Sequence, residues 1–323
     1  MKIKIGIVGY GNVGKGAAAA VLESPDMELC AIFTRRNTDS VTAPAGVSVY
    51  HVSEAINMTD DIDVMLLCGG SATDLPEQGP YFAKHFNIVD SFDTHAKIPK
   101  YLAAVDAEAT NKTAIIASGW DPGLFSLMRV FSEAVLPNGS TYTFWGKGVS
   151  QGHSDAIRRI AGVKNAVQYT IPIDKAVETV RSGGTPVFET RDKHFRECFV
   201  VAEDTADKNL IEKTIKEMPN YFSDYDTAVH FIDESELLKS HSKMPHGGLV
   251  MRSGSTGENN SHVVEFSVNL ESNPEFTGSI IAAYARAAYR MATEKNFGAK
   301  TVFDIPPAYL AEKTREEIIR DLL

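Results

Sequence analysis

Cysteine is scarce: three thiols, Cys30, Cys68 and Cys198, stand far apart in 323 residues and are odd in number. That excludes a disulfide framework and any Cys-rich zinc site, and it fits a reducing cytoplasm. Positive charge is also short. Lys and Arg total 32 against 42 Asp and Glu, a formal charge of −10. A chain this acidic lacks the basic footprint that nucleic acid demands of its main partner. No stretch approaches the roughly 20 apolar residues needed to cross a bilayer, and the most apolar late run, Ile280 to Ala285, stops at Arg286. The opening Met-Lys-Ile-Lys does not lead a signal peptide, because Lys4 and early glycines interrupt any apolar region. No His-Glu-x-x-His, Gly-x-Ser-x-Gly or paired-Cys motif stands out, so no metal is expected and metal-assisted and serine hydrolysis are both disfavoured. What is present is a 43% apolar chain long enough for about two domains at roughly 150 residues each. It reads as a soluble cytoplasmic enzyme.

The first third alternates short apolar runs with helical patterns. Ile3, Ile5 and Ile7 alternate with Lys2, Lys4 and Gly6 as a strand, and Val13, Ala17, Ala20 and Val21 follow at helical spacing. Leu29–Phe33 and Val47–Tyr50 read as the next strands. Val64–Leu67 is apolar throughout, the mark of a parallel strand buried on both faces; Ile88-Val89 and Ala114–Ala117 repeat it. Helical stretches over Pro76–Phe86 and Pro99–Thr110 lie between. This alternation predicts a Rossmann-type doubly wound α/β domain over residues 1–120. Beyond Gly123, a helix through Val135 leads into longer strand patterns at Thr141–Trp145, Val167–Ile171, Phe195–Ala202, Ala228–Ile232 and His262–Leu270. With helices only near Lys175–Val180 and Asn209–Met218, residues 121–271 read as an α+β substrate domain on an open mixed sheet, largely antiparallel. The Ala-rich helical pattern Ile280–Lys295 should pack closely on a neighbour, and the Lys313–Asp321 charge run reads as a solvated helix face.

Gly9-Tyr10-Gly11-Asn12-Val13-Gly14 places Gly-x-Gly-x-x-Gly where the first strand meets a helix. The first glycine permits the tight turn, the second lets backbone approach a pyrophosphate, and the third lets helix and strand pack closely. Exposed N–H groups and the helix dipole then favour the anion. A ligand-free glycine turn is the alternative, but the position at the first strand of an α/β pattern points to a dinucleotide. The same residues nearly spell a triphosphate loop; Gly16 stands where Ser or Thr would hold magnesium, which counts against an ATPase or kinase. The second strand ends Phe33-Thr34-Arg35-Arg36, where an NAD site would place an acid for the ribose 2′-hydroxyl. A hydroxyl and two guanidinium groups match a 2′-phosphate instead, so the cofactor reads as NADP. The competing reading is a surface Arg pair.

Ligands of an open α/β sheet sit beyond the carboxyl ends of its strands, and three polar segments fall there. Cys68-Gly69-Gly70-Ser71-Ala72-Thr73 follows the fourth strand and would line the cofactor. Asp90-Ser91-Phe92-Asp93-Thr94-His95 follows the fifth, and Trp120-Asp121-Pro122-Gly123 the sixth. Asp93 and Asp121 could both be aimed at a nicotinamide. Each also has a structural explanation: Asp121 before Pro122 suits a helix N-cap, and Asp93 could cap a helix after Thr94. The run from Trp145 to Asp155, dense in Gly and polar residues, could form an N–H concavity for a carboxylate or be a plain turn. Arg196, amid a strand pattern, would need an anion if it faced inward and is otherwise a surface side chain. His246 reads as a loop histidine with no metal partner at ligand spacing.

Taken together these segments resemble the meso-diaminopimelate D-dehydrogenases over nearly the whole chain. The likeness is carried by Val8-Gly9-Tyr10-Gly11-Asn12, Phe33-Thr34-Arg35-Arg36, Gly70-Ser71-Ala72-Thr73-Asp74, Gly119-Trp120-Asp121-Pro122-Gly123, Thr143-Phe144-Trp145-Gly146, Ser150-Gln151-Gly152-His153-Ser154-Asp155 and Met244-Pro245-His246-Gly247-Gly248. The resemblance implies NADP-dependent, reversible oxidative deamination at the D-centre of meso-2,6-diaminopimelate. The products would be L-2-amino-6-oxopimelate (tetrahydrodipicolinate), ammonia and NADPH, and the reverse direction would feed lysine and cell-wall synthesis. It also implies a homodimer formed through the second domain, with C-terminal helices of about 272–323 returning to the first. Residue by residue, Asp93 and Asp121 would face the reacting amine, and Trp145, Gln151 and Gly152 would line the pocket. Thr170, Arg196 and His246 would hold the distal L-centre carboxylate, with Asn273 and Asp155 assisting. Ser91, Phe92, Trp120, Pro122 and Gly123 would join the three phosphate-side segments around the cofactor. The family pattern often has Tyr where Phe92 stands, and the lost hydroxyl alters none of these roles.

Two other readings stand beside this one. Another two-domain NADP-dependent oxidoreductase, acting on a sugar, semialdehyde or imine, would place a Lys or His acid at the nicotinamide rather than Asp93 and Asp121. A non-catalytic NADPH sensor would need the glycine loop and Arg pair but not the Asp, Trp, Arg and His set.

Overall fold

The structure, a computed structural model, describes residues 2–258 and 260–323, and every count or absence below refers to those. Contacts divide the chain into two compact units, Met1–Leu127 with Pro274–Leu323, and Met128–Asn273. In chain order the elements are β1 (Ile3–Val8), α1 (Asn12–Glu23), β2 (Met27–Thr34), β3 (Ser48–His51), β4 (Val64–Leu67), α2 (Leu75–Ala83), β5 (Asn87–Asp90), α3 (Ile98–Asp106), β6 (Thr113–Ile115) and α4 (Phe125–Val135). There follow β7 (Gly139–Trp145), β8 (Gly148–Val149), α5 (Gln151–Arg158), β9 (Val163–Pro172), α6 (Asp174–Arg181), α7 (Thr190–Lys193), β10 (His194–Ala202), α8 (Lys208–Lys216), β11 (Asp226–Phe231) and α9 (Glu234–Ser240). The chain closes with β12 (His246–Thr256), β13 (Asn260–Leu270), α10 (Asn273–Thr293), β14 (Gly298–Lys300) and α11 (Arg315–Leu322).

The first unit holds a seven-stranded parallel sheet in the order β14-β6-β5-β4-β1-β2-β3. Alternate side chains of its strands feed two separate cores. Ile5, Ile7, Val64, Leu66, Val89 and Ile115 join α1 and α10 on one face; Val8, Met65, Leu67, Ile88 and Ala114 join α2 and α3 on the other. A strand with a core on each face must be apolar at every position, which is why Val64–Leu67 carries no alternation. Glycine lets α10 cross α1 at backbone contact: a Cβ on Gly278 would lie 2.2 Å from the Ala17 nitrogen, and one on Gly16 2.6 Å from Glu275 Cα. The residue that spoils a triphosphate loop is thus a helix-crossing glycine. The C-terminal α11 has no buried residue, as its charge run suggests.

In the second unit the strand patterns are divided between two sheets, a mixed four-stranded one (β11-β10-β9-β8) and an antiparallel three-stranded one (β13-β12-β7). The central strand of the smaller sheet, β12, escaped the sequence pattern. Its glycines replace the alternation, because a Cβ on Gly254 would lie 2.2 Å from the Asn138 carbonyl and one on Gly247 2.4 Å from that of Val268. His246, read as a loop residue, is the first residue of that strand.

Candidate active site

At the end of β1, Gly9 turns the chain with φ +90°, a left-handed conformation that favours glycine, and its N–H donates to the Phe33 carbonyl (2.9 Å). A Cβ on Gly14 would sit 2.1 Å from the Gly9 carbonyl, while Gly11 faces open space. With Gly11 as N-cap and no acid in the first turn, the start of α1 suits a pyrophosphate. Thr34 is buried at the end of β2, where its hydroxyl accepts the Arg36 N–H (3.1 Å). The Arg36 guanidinium donates to the Tyr10 carbonyl (2.7 Å), which ties the Arg pair to the glycine loop. Arg35 is exposed and pairs with Asp74 (2.9 Å), whose carboxylate also accepts the Gly70 N–H (2.9 Å). Beside them lies a cavity of about 400 Å³ lined by Arg35, Ser53, Thr73, Asp74, Gln78 and Tyr81 among others. A buried hydroxyl and two cations at the end of β2 fit a 2′-phosphorylated dinucleotide.

The segments after β4, β5 and β6 are bonded to one another. The Ser71 hydroxyl accepts the N–H groups of Asp93 (2.8 Å) and Thr94 (3.2 Å) and pairs with the Thr94 hydroxyl (3.2 Å). Asp90, fully buried, accepts at one oxygen from the N–H groups of Phe92 (2.9 Å) and Ala117 (3.0 Å) and at the other from the Tyr101 hydroxyl (2.6 Å). Burial pushes its carboxyl up to about 6, against the downward pull of those three hydrogen bonds. The capping explanations for the other two acids fail. Asp121 is extended (φ −146°, ψ 112°), Gly123 turns at φ +42°, and α4 starts only at Phe125, so Asp121 is not its N-cap and Pro122 not its first residue. After Asp93 comes a short 3-10 turn with Thr94 at its cap; Asp93 supplies its carbonyl, not its carboxylate, to the His95 N–H (2.9 Å).

In the second unit the sheet register sets one polar row. Gly148 pairs with Thr170, and Thr170 with Arg196, across β8, β9 and β10. His246 lies over Gly148, where a Cβ would come within 2.5 Å of the imidazole. Arg196 is 7% exposed, so it is no surface side chain. It donates to the Thr170 hydroxyl and lies 3.9 Å from the centre of the Tyr225 ring, while its Nε is buried without a partner. Burial lowers its pKa from the usual guanidinium range. A desolvated, incompletely satisfied guanidinium is the feature that an anionic ligand completes. Nearby, the Gln151 amide reaches the Met244 sulfur (3.0 Å), and the Asn273 N–H donates to the Met244 carbonyl (3.0 Å). Asp155, exposed on α5, is instead paired with Arg158, and Gly152 is exposed on the same helix.

The run from Trp145 to Asp155 is no plain turn: it holds the end of β7, the short β8 and the first residues of α5. The Trp145 N–H donates to Nε2 of His194 (2.8 Å), and the two rings stack 5.3 Å apart. Burial first, then the nearby Arg196 charge, brings His194 down to about 3 and His153 to about 4. Within the run Gly148-Val149-Ser150-Gln151-Gly152 also spells Gly-x-Ser-x-Gly, and the Ser150 hydroxyl contacts His153 Nδ1 (2.7 Å). The nucleophile elbow of that motif sits on a parallel sheet; here β8 runs antiparallel to β9, and the His153 ring is set edge-on to Tyr221 and Phe222. The described residues contain no group of three His, Cys, Asp or Glu able to hold a metal, and no helix long and apolar enough to cross a membrane.

A family model described as the diaminopimelic acid dehydrogenase C-terminal domain matches residues 119–272. A meso-diaminopimelate D-dehydrogenase from Ureibacillus thermosphaericus is 63% identical over 324 residues, which span 100% of this chain and 99% of the relative. The chain belongs to the meso-diaminopimelate D-dehydrogenase family. Among solved structures, a Clostridium tetani meso-diaminopimelate dehydrogenase is 52% identical with a TM-score of 0.95 over 100% of both chains. That structure holds DAP and carries six substitutions, at a Gln, a Thr, an Arg, a Pro, a His and an Asn. An engineered D-amino acid dehydrogenase bound to NADP+ is 41% identical with a TM-score of 0.88, again over 100% of both chains. Sequence reasoning did not single out Asp90, Tyr101, His194 or Tyr225, which the structure places against the segments described above. The one available signal was Asp90, an acid closing an otherwise apolar buried strand.

Proposed function

We propose that the protein catalyses the reversible, NADP-dependent oxidative deamination of meso-2,6-diaminopimelate at its D-centre. Water is consumed, and the products are ammonia, NADPH, a proton and L-2-amino-6-oxopimelate, which cyclises with loss of water to tetrahydrodipicolinate. The reverse reaction serves lysine and cell-wall synthesis in the cytoplasm, and the protein acts as a homodimer formed through residues 121–271. The single observation that carries the reading is the row His246–Gly148–Thr170–Arg196, ending in a buried guanidinium with an unpartnered Nε. A further support is positional: the six residue types substituted in the Clostridium tetani protein recur here at the same mutual spacing as Gln151, Thr170, Arg196, Pro245, His246 and Asn273.

NADP supplies the hydride acceptor when bound. Gly9 to Gly14 would hold its pyrophosphate and Thr34, Arg35 and Arg36 its 2′-phosphate. Residues 69–73 with Ser91, Phe92, Trp120, Pro122 and Gly123 would line its remaining length. As hydride leaves the D-carbon, positive charge develops on the substrate nitrogen. Asp93 and Asp121 would stabilise that charge more in the transition state than in the ground state. One of them, directly or through a water it orients, would take the ammonium proton and later activate the attacking water. Trp145, Gln151 and Gly152 would line the pocket; Thr170, Arg196 and His246 would grip the distal carboxylate, assisted by Asn273, while Asp155 stays with Arg158. An amino acid without that carboxylate would leave Arg196 buried and unpaired, which sets substrate choice.

The test is NADPH formation from NADP and meso-diaminopimelate, run beside the L,L isomer and beside NAD. Turnover with the meso isomer and NADP alone is expected. Comparable turnover with NAD would refute the assignment of Arg35 and Arg36, and tight NADPH binding without any turnover would refute the catalytic reading.

A further inference from the structure

The loops that carry Asp93 and Asp121 leave neighbouring parallel strands and meet at one buried carboxylate. The β5–β6 register ends at Val89 and Ile115. Beyond it Asp90 takes over the pairing. Its carboxylate accepts the Phe92 and Ala117 N–H groups, and its own carbonyl accepts the Ser118 N–H (3.0 Å) and the Ser118 hydroxyl (2.8 Å). The second carboxylate oxygen is taken by the Tyr101 hydroxyl from α3, and the Tyr101 ring stacks on Phe92 with centroids 4.2 Å apart. Ala117, the residue so held, has φ +53°. Left-handed backbone disfavours a residue other than glycine, and it persists only where its surroundings over-determine it. That bend directs the chain from β6 into the segment of Asp121, while the Phe92 N–H anchors the residue beside Asp93.

We propose that Asp90, oriented by Tyr101, is a positioning residue for the deamination: one buried carboxylate sets the backbone of both acid-bearing loops at once. This rests on the reading that Asp93 and Asp121 act at the reacting amine. Asp90 itself is no proton carrier to substrate, since it is fully buried and both its oxygens are engaged. Its effect is on placement, and a displacement of about 1 Å at the reacting groups lowers a rate by about 100-fold.

Two conservative variants test this. Tyr101→Phe keeps the ring on Phe92 and removes the donor to Asp90. Asp90→Asn keeps an acceptor of the same size and removes the charge. Each is expected to lower kcat with meso-diaminopimelate by about tenfold or more. The KM for that substrate should stay within about twofold because the Arg196 row is untouched, and the Kd for NADPH, read from its fluorescence, should shift far less than kcat because the glycine loop and Arg pair still hold its phosphates although Phe92 and Trp120 line it; a merely structural lesion would not give this split. Assays run well below each variant's unfolding midpoint, and Tyr101→Phe decides alone if Asp90→Asn does not fold. A kcat within twofold of the parent in both variants, or one that falls only in step with NADPH binding, overturns the proposal. Asp93→Asn and Asp121→Asn separate the two levels. If both keep full turnover, the reading of the loops as the chemical end is wrong and the proposal falls with it. If both abolish turnover while Asp90→Asn and Tyr101→Phe are normal, only the positioning role fails.

Discussion

Arg196→Met keeps the length of the side chain and removes the cation from the polar row of the second unit. Truncating one partner of a buried, hydrogen-bonded charge pair costs about 2–5 kcal/mol, which is roughly 30- to 4,000-fold in kcat/KM at tenfold per 1.4 kcal/mol. The stranded group in the variant is the substrate's distal carboxylate, still beside the Thr170 hydroxyl and His246, so the loss with meso-diaminopimelate should sit near the middle, at about 300-fold. A D-amino acid with an apolar side chain has no carboxylate to strand, and its kcat/KM should hold or rise. Stability should behave in the opposite sense. The free protein carries a desolvated guanidinium with a buried, unpartnered Nε, and replacing such a cation with an apolar side chain is commonly neutral or stabilising. The contact with Tyr225, 3.9 Å from guanidinium to ring centre, is lost as a partial offset, at about 0.5–2 kcal/mol. Steady-state kinetics on both substrates, with a thermal midpoint for each protein, read all three expectations. A variant within threefold of the parent on meso-diaminopimelate, or equally impaired on both substrates, would refute the carboxylate clamp.

Arg36→Ala should raise the KM for NADP by about 10- to 100-fold, the loss of one charge-assisted hydrogen bond, and leave the weak reaction with NAD unchanged; equal effects on both cofactors would count against a 2′-phosphate site. His153 and His194 are held at about 4 and about 3 by burial and by the Arg196 charge, against an ordinary 6.5. The unfolded chain therefore takes up protons that the folded unit refuses, and stability is lost as pH falls from 6.5 towards 4, by about 3 kcal/mol for His153 alone. Asp90, raised from 3.8 to about 6, works the other way, since the folded state binds its proton more tightly between those values. Denaturant midpoints across pH 4.5 to 7 should show the net fall, and a His194→Gln variant should flatten it; an unchanged slope would sink the assignment. Gly278→Ala should lower stability by about 1–3 kcal/mol despite its better helix propensity, because the new methyl meets the Ala17 nitrogen at 2.2 Å; an unaltered midpoint would show that α1 and α10 separate freely.

Much of this protein was legible from local pattern alone. Period and apolarity located β1, β2, β4 and α1 to within a residue or two, because a strand with a core on both faces must be apolar at every position and that demand is local. Glycine spacing and the Thr34-Arg35-Arg36 strand end marked the phosphate side for the same reason: tight turns and charge matching need particular residues at particular places. Family motifs such as Ser150-Gln151-Gly152-His153 pointed to the chemistry. What depended on residues distant in the chain was not legible. Whether Arg196 was a surface cation or a buried one turned on its register with Thr170, and whether Asp121 capped a helix turned on where α4 begins. β12 was hidden because its glycines answer to backbone from other strands. The service of Asp90 to two loops at once comes from hydrogen bonds that span up to 28 residues. Burial and hydrogen-bond partnership are properties of the folded neighbourhood, and no window of sequence contains them.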